Sequence, residues 1–436
     1  MRNFGVHSAL LAMMIGACSE GGSGPGATAG DDGGAASDAS APDAAASVDA
    51  ARDGGSQGGS DGPSPTDAHA LPEAPSIDAG PCSALAASGT WEPITPPLAP
   101  LHGVAPCPYG GELAMNPLDP SMVYVGSCNE GIWKTTDCGG SWTHVNTGTN
   151  GQALDTGRQW TFLVDPSHPD VLYTNSGYNT YVQGGTYDGN GVSGAFKSTN
   201  GGVDWQVIWP PADPGLAKVV EYNFVGHVAM DPTNTQHLLV SFHAQCAAPH
   251  SAACFAETFD GGGTFTMVDG MPQWAGGEGQ AIYFLNDGAT WLFGSQSNGL
   301  WRTADSGAHW TDLNVTQGHA AGALYRATDG TFYMATPNGI LRSPDGVAWD
   351  LVPNSGNTML GLTGNGTTLY ASRGFPWDPS TNLYEPFWTS PEADGQHWTQ
   401  MSSPQMSNGG TLAYDRVHHL LYSSNLGAGV WRVVMP

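Results

Sequence analysis

Residues 134–142 of the chain read KTTDCGGSW, and this stretch decides the fold because the chain repeats it. The shared order is a Ser or Thr, an Asp or Asn two positions later, then Gly and an aromatic residue. The later copies, the last of them shortened, occupy residues 197–205, 258–265, 302–310, 342–349 and 394–398. Self-similarity at a spacing of about 40–60 residues is typical of a β-propeller, in which each repeat is one four-stranded blade.

The repeated segment, called the hairpin motif below, has a structural explanation. A carboxylate two residues after Ser or Thr accepts hydrogen bonds from the N–H groups of a turn, and Gly supplies positive φ. The aromatic residue then anchors the next strand in the core. We therefore interpret two positions of each copy as structural rather than catalytic. They are Asp137 and Trp142, Asn200 and Trp205, Asp260 and Phe265, Asp305 and Trp310, Asp345 and Trp349, and Asp394 and Trp398.

Each hairpin motif is predicted to join the third and fourth strands of a blade. First strands are then expected to begin near residues 111, 159, 224, 278, 321, 357 and 409, which makes seven blades within residues 82–436. The seventh blade has three strands before Pro436. Residues 89–94 read like the fourth strand at 140–145, so we expect them to complete blade seven, close the ring and remove an open sheet edge.

The chain begins with a predicted lipoprotein signal peptide, residues 1–17. A basic start and an apolar core at 9–15 end at Cys18, in a context that resembles the bacterial lipobox. Cys18 would then be lipidated; an ordinary cleavage site with an incidental Cys is the alternative. We expect a location in the cell envelope, at the outer membrane or surface of a Gram-negative bacterium, with membrane contact only through the lipid.

Residues 18–80 form a compositional block of Ala, Asp, Gly, Ser and Pro. It has no aromatic residue, and Arg52 is its only basic side chain among eleven acids. Such a segment cannot bury enough apolar surface to offset the entropy of ordering, so it is expected to be a disordered tether.

The charge balance of the whole chain excludes one class of partner. Its 436 residues carry 39 acidic and 12 basic side chains, for a net charge of −27. A nucleic-acid partner is not expected, because phosphates are bound by clustered Lys and Arg. An extracellular glycan or an envelope protein is the expected partner of a monomeric chain. No cofactor or metal site is predicted. The excess of acidic side chains is nevertheless compatible with a structural calcium ion, because carboxylate oxygens are ligands of calcium.

The cysteines indicate an oxidising compartment. With Cys18 lipidated, six remain, an even number. The propeller topology predicts three pairings: Cys107–Cys128 on one face of blade one, Cys246–Cys254 across a loop, and Cys82–Cys138 beside the ring closure.

Aromatic residues concentrate in the predicted loops of one face, the face on which first strands begin, called the upper face below. Aromatic rings interleaved with amides and carboxylates suit stacking on sugars together with hydrogen bonds to their hydroxyls. The ligand-binding candidates are Tyr178, Tyr181, Tyr187, Trp209, Tyr222, Trp274, Arg373, Trp377 and Tyr384. The alternative is that these side chains only pack the long loops.

The hairpin motif resembles the Asp box of sialidases. The turn at 116–126, NPLDPSMVYVG, looks closer to xyloglucanase-like, sortilin-like and photosystem-assembly-factor propellers. Sialidases hold the substrate carboxylate with three Arg. In the propeller of this chain, only Arg158, Arg326, Arg373 and Arg416 lie outside the hairpin motifs and the last strand. In xyloglucanases a catalytic Asp follows the second strand of the first blade, and Cys128 stands there in this chain. Those enzymes also place substrate between two propellers, and this chain has one.

Two-carboxylate hydrolysis needs only carboxyl groups about 5–10 Å apart across a cleft. Glu112, Glu221 and Glu278 lie at or near the starts of first strands and are the catalytic candidates, unless they are solvated or bonded to a turn. The sequence therefore predicts a cell-surface propeller that binds an extracellular ligand, foremost a glycan. A xyloglucanase-like or sialidase-like glycosidase and a protein-interaction platform are the alternatives.

Overall fold

The computed structural model shows a ring of seven four-stranded antiparallel sheets, which confirms the predicted seven-bladed propeller. First strands begin within three residues of the predicted positions. The structure describes residues 81–97, 111–127, 130–155, 157–177, 193–220, 223–269, 279–295, 299–313, 322–356, 359–374, 387–404, 409–425 and 428–436, and the backbone of 181–182 and 186–187.

Four blades come first along the chain, each listed from its inner to its outer strand. Blade 1 comprises Glu112–Met115, Val123–Gly126, Ile132–Thr135 and Thr143–His144, and blade 2 comprises Phe162–Val164, Leu172–Ser176, Gly194–Ser198 and Gln206–Trp209. Blade 3 comprises Val225–Asp231, Asn234–Phe242, Phe255–Thr258 and Thr266–Val268, and blade 4 comprises Gly279–Phe284, Trp291–Ser295, Leu300–Thr303 and Thr311–Asp312.

Three further blades complete the ring. Blade 5 comprises Leu324–Arg326, Phe332–Thr336, Gly339–Ser343 and Asp350–Leu351, blade 6 comprises Met359–Gly364, Thr368–Arg373, Phe387–Pro391 and Thr399–Met401, and blade 7 comprises Gly409–Asp415, Leu420–Asn425, Gly429–Val434 and Trp91–Pro93. A small hairpin, Tyr181–Val182 with Thr186–Tyr187, and two 3₁₀ turns, Gly151–Leu154 and Leu216–Lys218, lie outside the blades. Within the described ranges no helix has the length and apolar character needed to cross a bilayer.

The N-terminal strand closes the ring as predicted. Trp91 pairs with Val433 and Glu92 with Arg432 in antiparallel register. The Arg432 guanidinium donates to the Glu92 carboxylate over 3.0 Å and to the Cys138 carbonyl over 2.6 Å. One buried cation thereby joins the N-terminal strand, the C-terminal strand and blade 1.

The hairpin motifs are tied by their own side chains. In the first copy the Asp137 carboxylate accepts from the Thr135 hydroxyl at 2.7 Å and from the Ser141 backbone N–H at 2.8 Å. The Thr135 hydroxyl accepts in turn from the Gly139 N–H. Equivalent bonds surround Asp260, where they lower the pKa of the carboxyl to about 2. These contacts account for the motif without any catalytic role.

A contact between blades recurs that the sequence analysis did not anticipate. A cation on the third strand of one blade donates to a carbonyl in the hairpin motif of the next blade. Lys197 donates to Gly261 over 3.1 Å, Arg302 to Gly346 over 2.8 Å, and Arg432 to Cys138. Lys197, Arg302 and Arg432 therefore each act as a latch between neighbouring blades.

Two of the three predicted disulfides are present. Cys82–Cys138 ties the segment before the closing strand to the blade 1 hairpin, and Cys246–Cys254 closes a loop of blade 3. Cys107 and Cys128 lie outside the described residues, as does Cys18. Cys138 has a φ of 60°, at the position directly after the Asp or Asn where four other hairpin motifs have Gly201, Gly261, Gly346 and Gly395.

Candidate ligand-binding site

Most of the loop residues predicted to touch a ligand lie outside the described residues. This group comprises Tyr178, Glu221, Tyr222, Trp274, Glu278, Trp377 and Tyr384. Tyr181 and Tyr187 are described by their backbone, which pairs them across the small hairpin of blade 2. The site can therefore be built from Trp209, Arg373, Glu112 and the residues around them.

Trp209 is a correction to the sequence-based prediction, because it is a core residue and not a ligand contact. It ends the outer strand of blade 2 and is fully buried. Its ring packs on Phe242 at 4.9 Å and on Phe265 at 5.4 Å, so it fills the space between blades 2 and 3. Because Trp209 directly precedes a Pro-rich loop, the sequence predicts that it is exposed. In the structure, the outer strand directs its side chain toward the next blade.

Arg373 ends the second strand of blade 6 on the upper face, where it pairs with Met359 at the start of the inner strand. It is half-buried, and burial lowers the pKa of its guanidinium. Its position agrees with the predicted face.

Glu112 is the first residue of the innermost strand of blade 1. Its carboxylate accepts a hydrogen bond of 2.9 Å from the Thr411 hydroxyl on the inner strand of blade 7. Burial outweighs this bond and raises the pKa of Glu112 to about 7. A carboxyl group with that pKa can exchange a proton near neutral pH, as an acid–base group requires.

Two further titratable side chains share the interior of the ring with Glu112. Burial and the charge of Glu112 raise the pKa of Tyr283, which belongs to blade 4 on the opposite side of the ring. Tyr283 donates to the Gly322 carbonyl over 2.6 Å, and its ring lies 5.1 Å from that of His227. Burial lowers the pKa of His227 to about 4, and its Nδ1 has no hydrogen-bond partner among the described residues. We call Glu112, Thr411, His227 and Tyr283 the channel group.

A second acid with a raised pKa lies at the same end of blade 1 and was missed in the sequence analysis. Glu130 follows the second strand and is 2% exposed, and burial raises its pKa to about 7. Strand register places Glu112 opposite Gly126, and Gly126 opposite Ile132, so both acids belong to the upper end of this blade. Glu130 directly precedes Gly131, a turn glycine with a φ of 71°.

Four side chains form an aromatic and basic cluster on the upper face between blades 2 and 3. The Arg158 guanidinium lies 5.5 Å from the centre of the Trp160 ring. His243 lies 4.8 Å and Phe224 5.5 Å from the same ring. Trp160 and Arg158 are half-buried, whereas Phe224 and His243 are buried beneath them. We call these four residues the upper aromatic cluster.

The upper aromatic cluster offers what a sugar-binding surface needs. It presents a partly exposed indole, a cation over that ring and a rigid aromatic support. In the sequence, Arg158 is a candidate only for a sialidase-type arginine, and nothing in the local pattern marks Trp160 as a ligand contact. An isolated antiparallel bridge joins Arg158, which lies before the inner strand of blade 2, to Gly177, which directly follows the second strand. Among the described residues, no group of three potential metal ligands lies on this face.

Comparisons with known proteins agree with the fold. The model of the DUF6242 beta propeller domain matches residues 267–377. A probable oligoxyloglucan-reducing end-specific xyloglucanase of Neosartorya fischeri is 30% identical over 106 residues, which is 24% of this chain and 11% of that protein. The match therefore spans a small part of the curated relative.

Two solved structures share the architecture. The GH74 xyloglucanase of Xanthomonas campestris superposes with a TM-score of 0.53 at 16% identity, covering 79% of this chain and 53% of its own. The protein YCF48 bound to D1 peptide superposes with a TM-score of 0.53 at 14% identity, covering 81% of this chain and 97% of its own. At these identities the likeness extends to the propeller fold, and this chain spans about half of the xyloglucanase.

Proposed function

We propose that this chain is a lipid-anchored protein of the cell envelope whose propeller binds an extracellular glycan through its upper face. The observation that carries the proposal is the upper aromatic cluster, in which Trp160 is partly exposed and held in place by Arg158, Phe224 and His243. A rigid indole loses little conformational freedom when a sugar ring stacks on it. The lipid on Cys18 would hold this surface at the cell envelope.

The net charge of the chain favours a neutral or basic glycan over an acidic one. The chain carries 39 acidic and 12 basic side chains, for a net charge of −27. A polyanionic sugar would be repelled by this net charge, particularly at low ionic strength.

The test uses the full chain with Cys18→Ser, so that no lipid is attached. It is incubated with insoluble plant, bacterial and host polysaccharides, and both retention and the release of new reducing ends are measured. We expect retention on one class of glycan. Trp160→Ala should weaken that retention about tenfold or more, as the loss of an aromatic anchor does. Phe259→Ala, which removes a ring that is 62% exposed outside the cluster, is the matched control and should leave it unchanged.

A glycoside hydrolase is the second candidate, favoured by the two carboxyl groups of blade 1 whose pKa values rise to about 7. Release of reducing ends that Glu112→Gln or Glu130→Gln abolishes, with retention intact, would establish hydrolysis. Retention without release would support a binding protein. Neither retention nor release would contradict the glycan proposal and turn the search to protein partners.

A further inference from the structure

The ring closure contains a set of metal-binding side chains. The side chains of Cys82, Cys138 and His418 place one ligand atom each within 4.8 Å of one another, the one group of three of this kind among the described residues. His418 Nδ1 lies 3.9 Å from Cys138 Sγ. The buried carboxylate of Asp415 accepts a hydrogen bond at the same Nδ1.

We propose that reduction of the Cys82–Cys138 disulfide converts the closure into a zinc site with Cys82, Cys138 and His418 as the three protein ligands and water in the fourth position. A dithiol supplies two electrons and two protons and is itself oxidised to a disulfide, whereas a phosphine supplies the two electrons, takes oxygen from water to become a phosphine oxide, and leaves the two protons of that water to the sulfurs. In either case the S–S bond is broken and two thiols are formed. Zn²⁺ then displaces the two thiol protons and forms two Zn–S bonds. It also replaces the contact between Asp415 and Nδ1 of His418, whose imidazole binds in its neutral form with its proton on Nε2.

The geometry suits a tetrahedral ion. Zn–S bonds of about 2.3 Å and Zn–N bonds of about 2.0 Å place neighbouring ligand atoms roughly 3.6–3.8 Å apart. The separation of 3.9 Å between His418 Nδ1 and Cys138 Sγ is already close to that value. Once the S–S bond is broken, rotation of the two Cys side chains is the main adjustment required.

The backbone that carries the two cysteines is held in place by one side chain. Arg432 donates to the Cys138 carbonyl over 2.6 Å and to the Ala84 carbonyl over 3.1 Å, so one guanidinium touches the backbone of both cysteine segments. His418 keeps 17% of its side chain exposed, which gives the ion a route from solvent.

The second disulfide provides an internal control. Cys246 and Cys254 also form a bond, and His250 lies in the loop between them. His250 is paired instead with Asp269 over 2.7 Å, and this pair of cysteines has no third ligand atom at metal-binding distance among the described residues. Reduction of Cys246–Cys254 should therefore create no zinc site.

The experiment titrates the full chain with Zn²⁺ against a competing chromophoric chelator, before and after reduction by a phosphine. We expect the reduced chain to bind one more Zn²⁺ than the oxidised chain. His418→Ala should weaken that binding at least tenfold, and Cys246→Ser with Cys254→Ser should leave it unchanged. Co²⁺ added in place of Zn²⁺ should give the absorption bands of a tetrahedral thiolate complex in the reduced chain, and His418→Ala should alter them.

Thermal unfolding keeps the test decisive if a variant folds poorly. Zinc should raise the Tm of the reduced wild-type chain, because an ion bound only to the folded state stabilises it, and should not raise that of the oxidised chain. The proposal is overturned if the reduced chain binds no more zinc than the oxidised chain. It is equally overturned if His418→Ala binds zinc as tightly as wild type.

Discussion

The carboxylate of Glu112 accepts a hydrogen bond of 2.9 Å from the hydroxyl of Thr411, a residue 299 positions later in the chain. The bond joins the inner strands of blades 1 and 7, on the inner side of the ring closure. Closure of the ring therefore makes the contact between Glu112 and Thr411.

Glu112→Gln is expected to stabilise the fold at high pH. The pKa of Glu112 rises from 4.5 to about 7 in the folded state, so the folded chain binds the proton more tightly than the unfolded chain. Stability therefore falls as the pH rises from about 4.5 to 7 and is constant above that range. Because Glu112 remains partly exposed to solvent, which screens its charge, we expect Glu112→Gln to gain about 1–3 kcal/mol over wild type at pH 8 and little at pH 4. Urea unfolding at both pH values measures this, and an equal difference at both would contradict it.

Arg432→Ala is expected to destabilise the ring closure by about 2–4 kcal/mol, because it leaves buried acceptors and a carboxylate without their cation. Arg432 is 5% exposed and donates hydrogen bonds to the Glu92 carboxylate and to the carbonyls of Cys138 and Ala84. Arg302→Ala is the matched control, since that latch donates one bond to Gly346 and should cost about 1 kcal/mol. If Arg432→Ala and Arg302→Ala lose the same free energy of unfolding in urea, the contacts at the ring closure contribute no more to stability than those of an ordinary latch.

His237→Gln is expected to lower stability most below pH 6.5. Burial alone would lower the pKa of His237, but its contacts with Glu257 at 2.9 Å and Asp231 at 2.8 Å outweigh burial and raise it. Protonation of His237 therefore adds stability that is complete below the unfolded pKa of about 6.5 and is lost as the pH rises through the folded value. The gap in Tm between wild type and variant should narrow from pH 5.5 to pH 8.5. A gap that widens with pH would contradict this assignment.

Trp160 and Trp209 should respond in opposite ways to replacement by Ala. Trp209 is fully buried between blades, so Trp209→Ala should lose about 3–5 kcal/mol of stability. Trp160 is half-buried on the upper face, so Trp160→Ala should lose less stability and most of the glycan retention. Chemical unfolding and polysaccharide retention on the same samples separate the two effects. Retention that survives in Trp160→Ala would remove this residue from the site.

Local patterns in the sequence were sufficient to predict the fold. Six copies of one turn motif define the blades, because a side-chain carboxylate and a left-handed Gly act within a few residues. The closing strand at Trp91–Pro93 was predictable because residues 89–94 resemble residues 140–145, which include the outer strand of blade 1. Two disulfides followed from the order of the strands alone.

The candidate site was predicted less well, because its residues meet through tertiary packing. Trp209 and Trp160 are both aromatic residues beside strand ends, and only the direction of each side chain separates a core residue from a surface one. Glu130 gave no sign of its raised pKa, since that depends on burial by residues distant in sequence. The fold also brings the His418 side chain against Cys138, a contact between residues 280 positions apart that no local pattern predicts.

The amino-acid sequence by itself therefore determined the number of blades, the turns that join their strands and the strand that closes the ring, because these depend on interactions between near neighbours. Only the tertiary structure decided which carboxyl groups titrate near neutral pH, which aromatic rings remain exposed and which side chains surround the closing disulfide. Burial and electrostatic contact are properties of residues brought together across blades, and no local pattern encodes them.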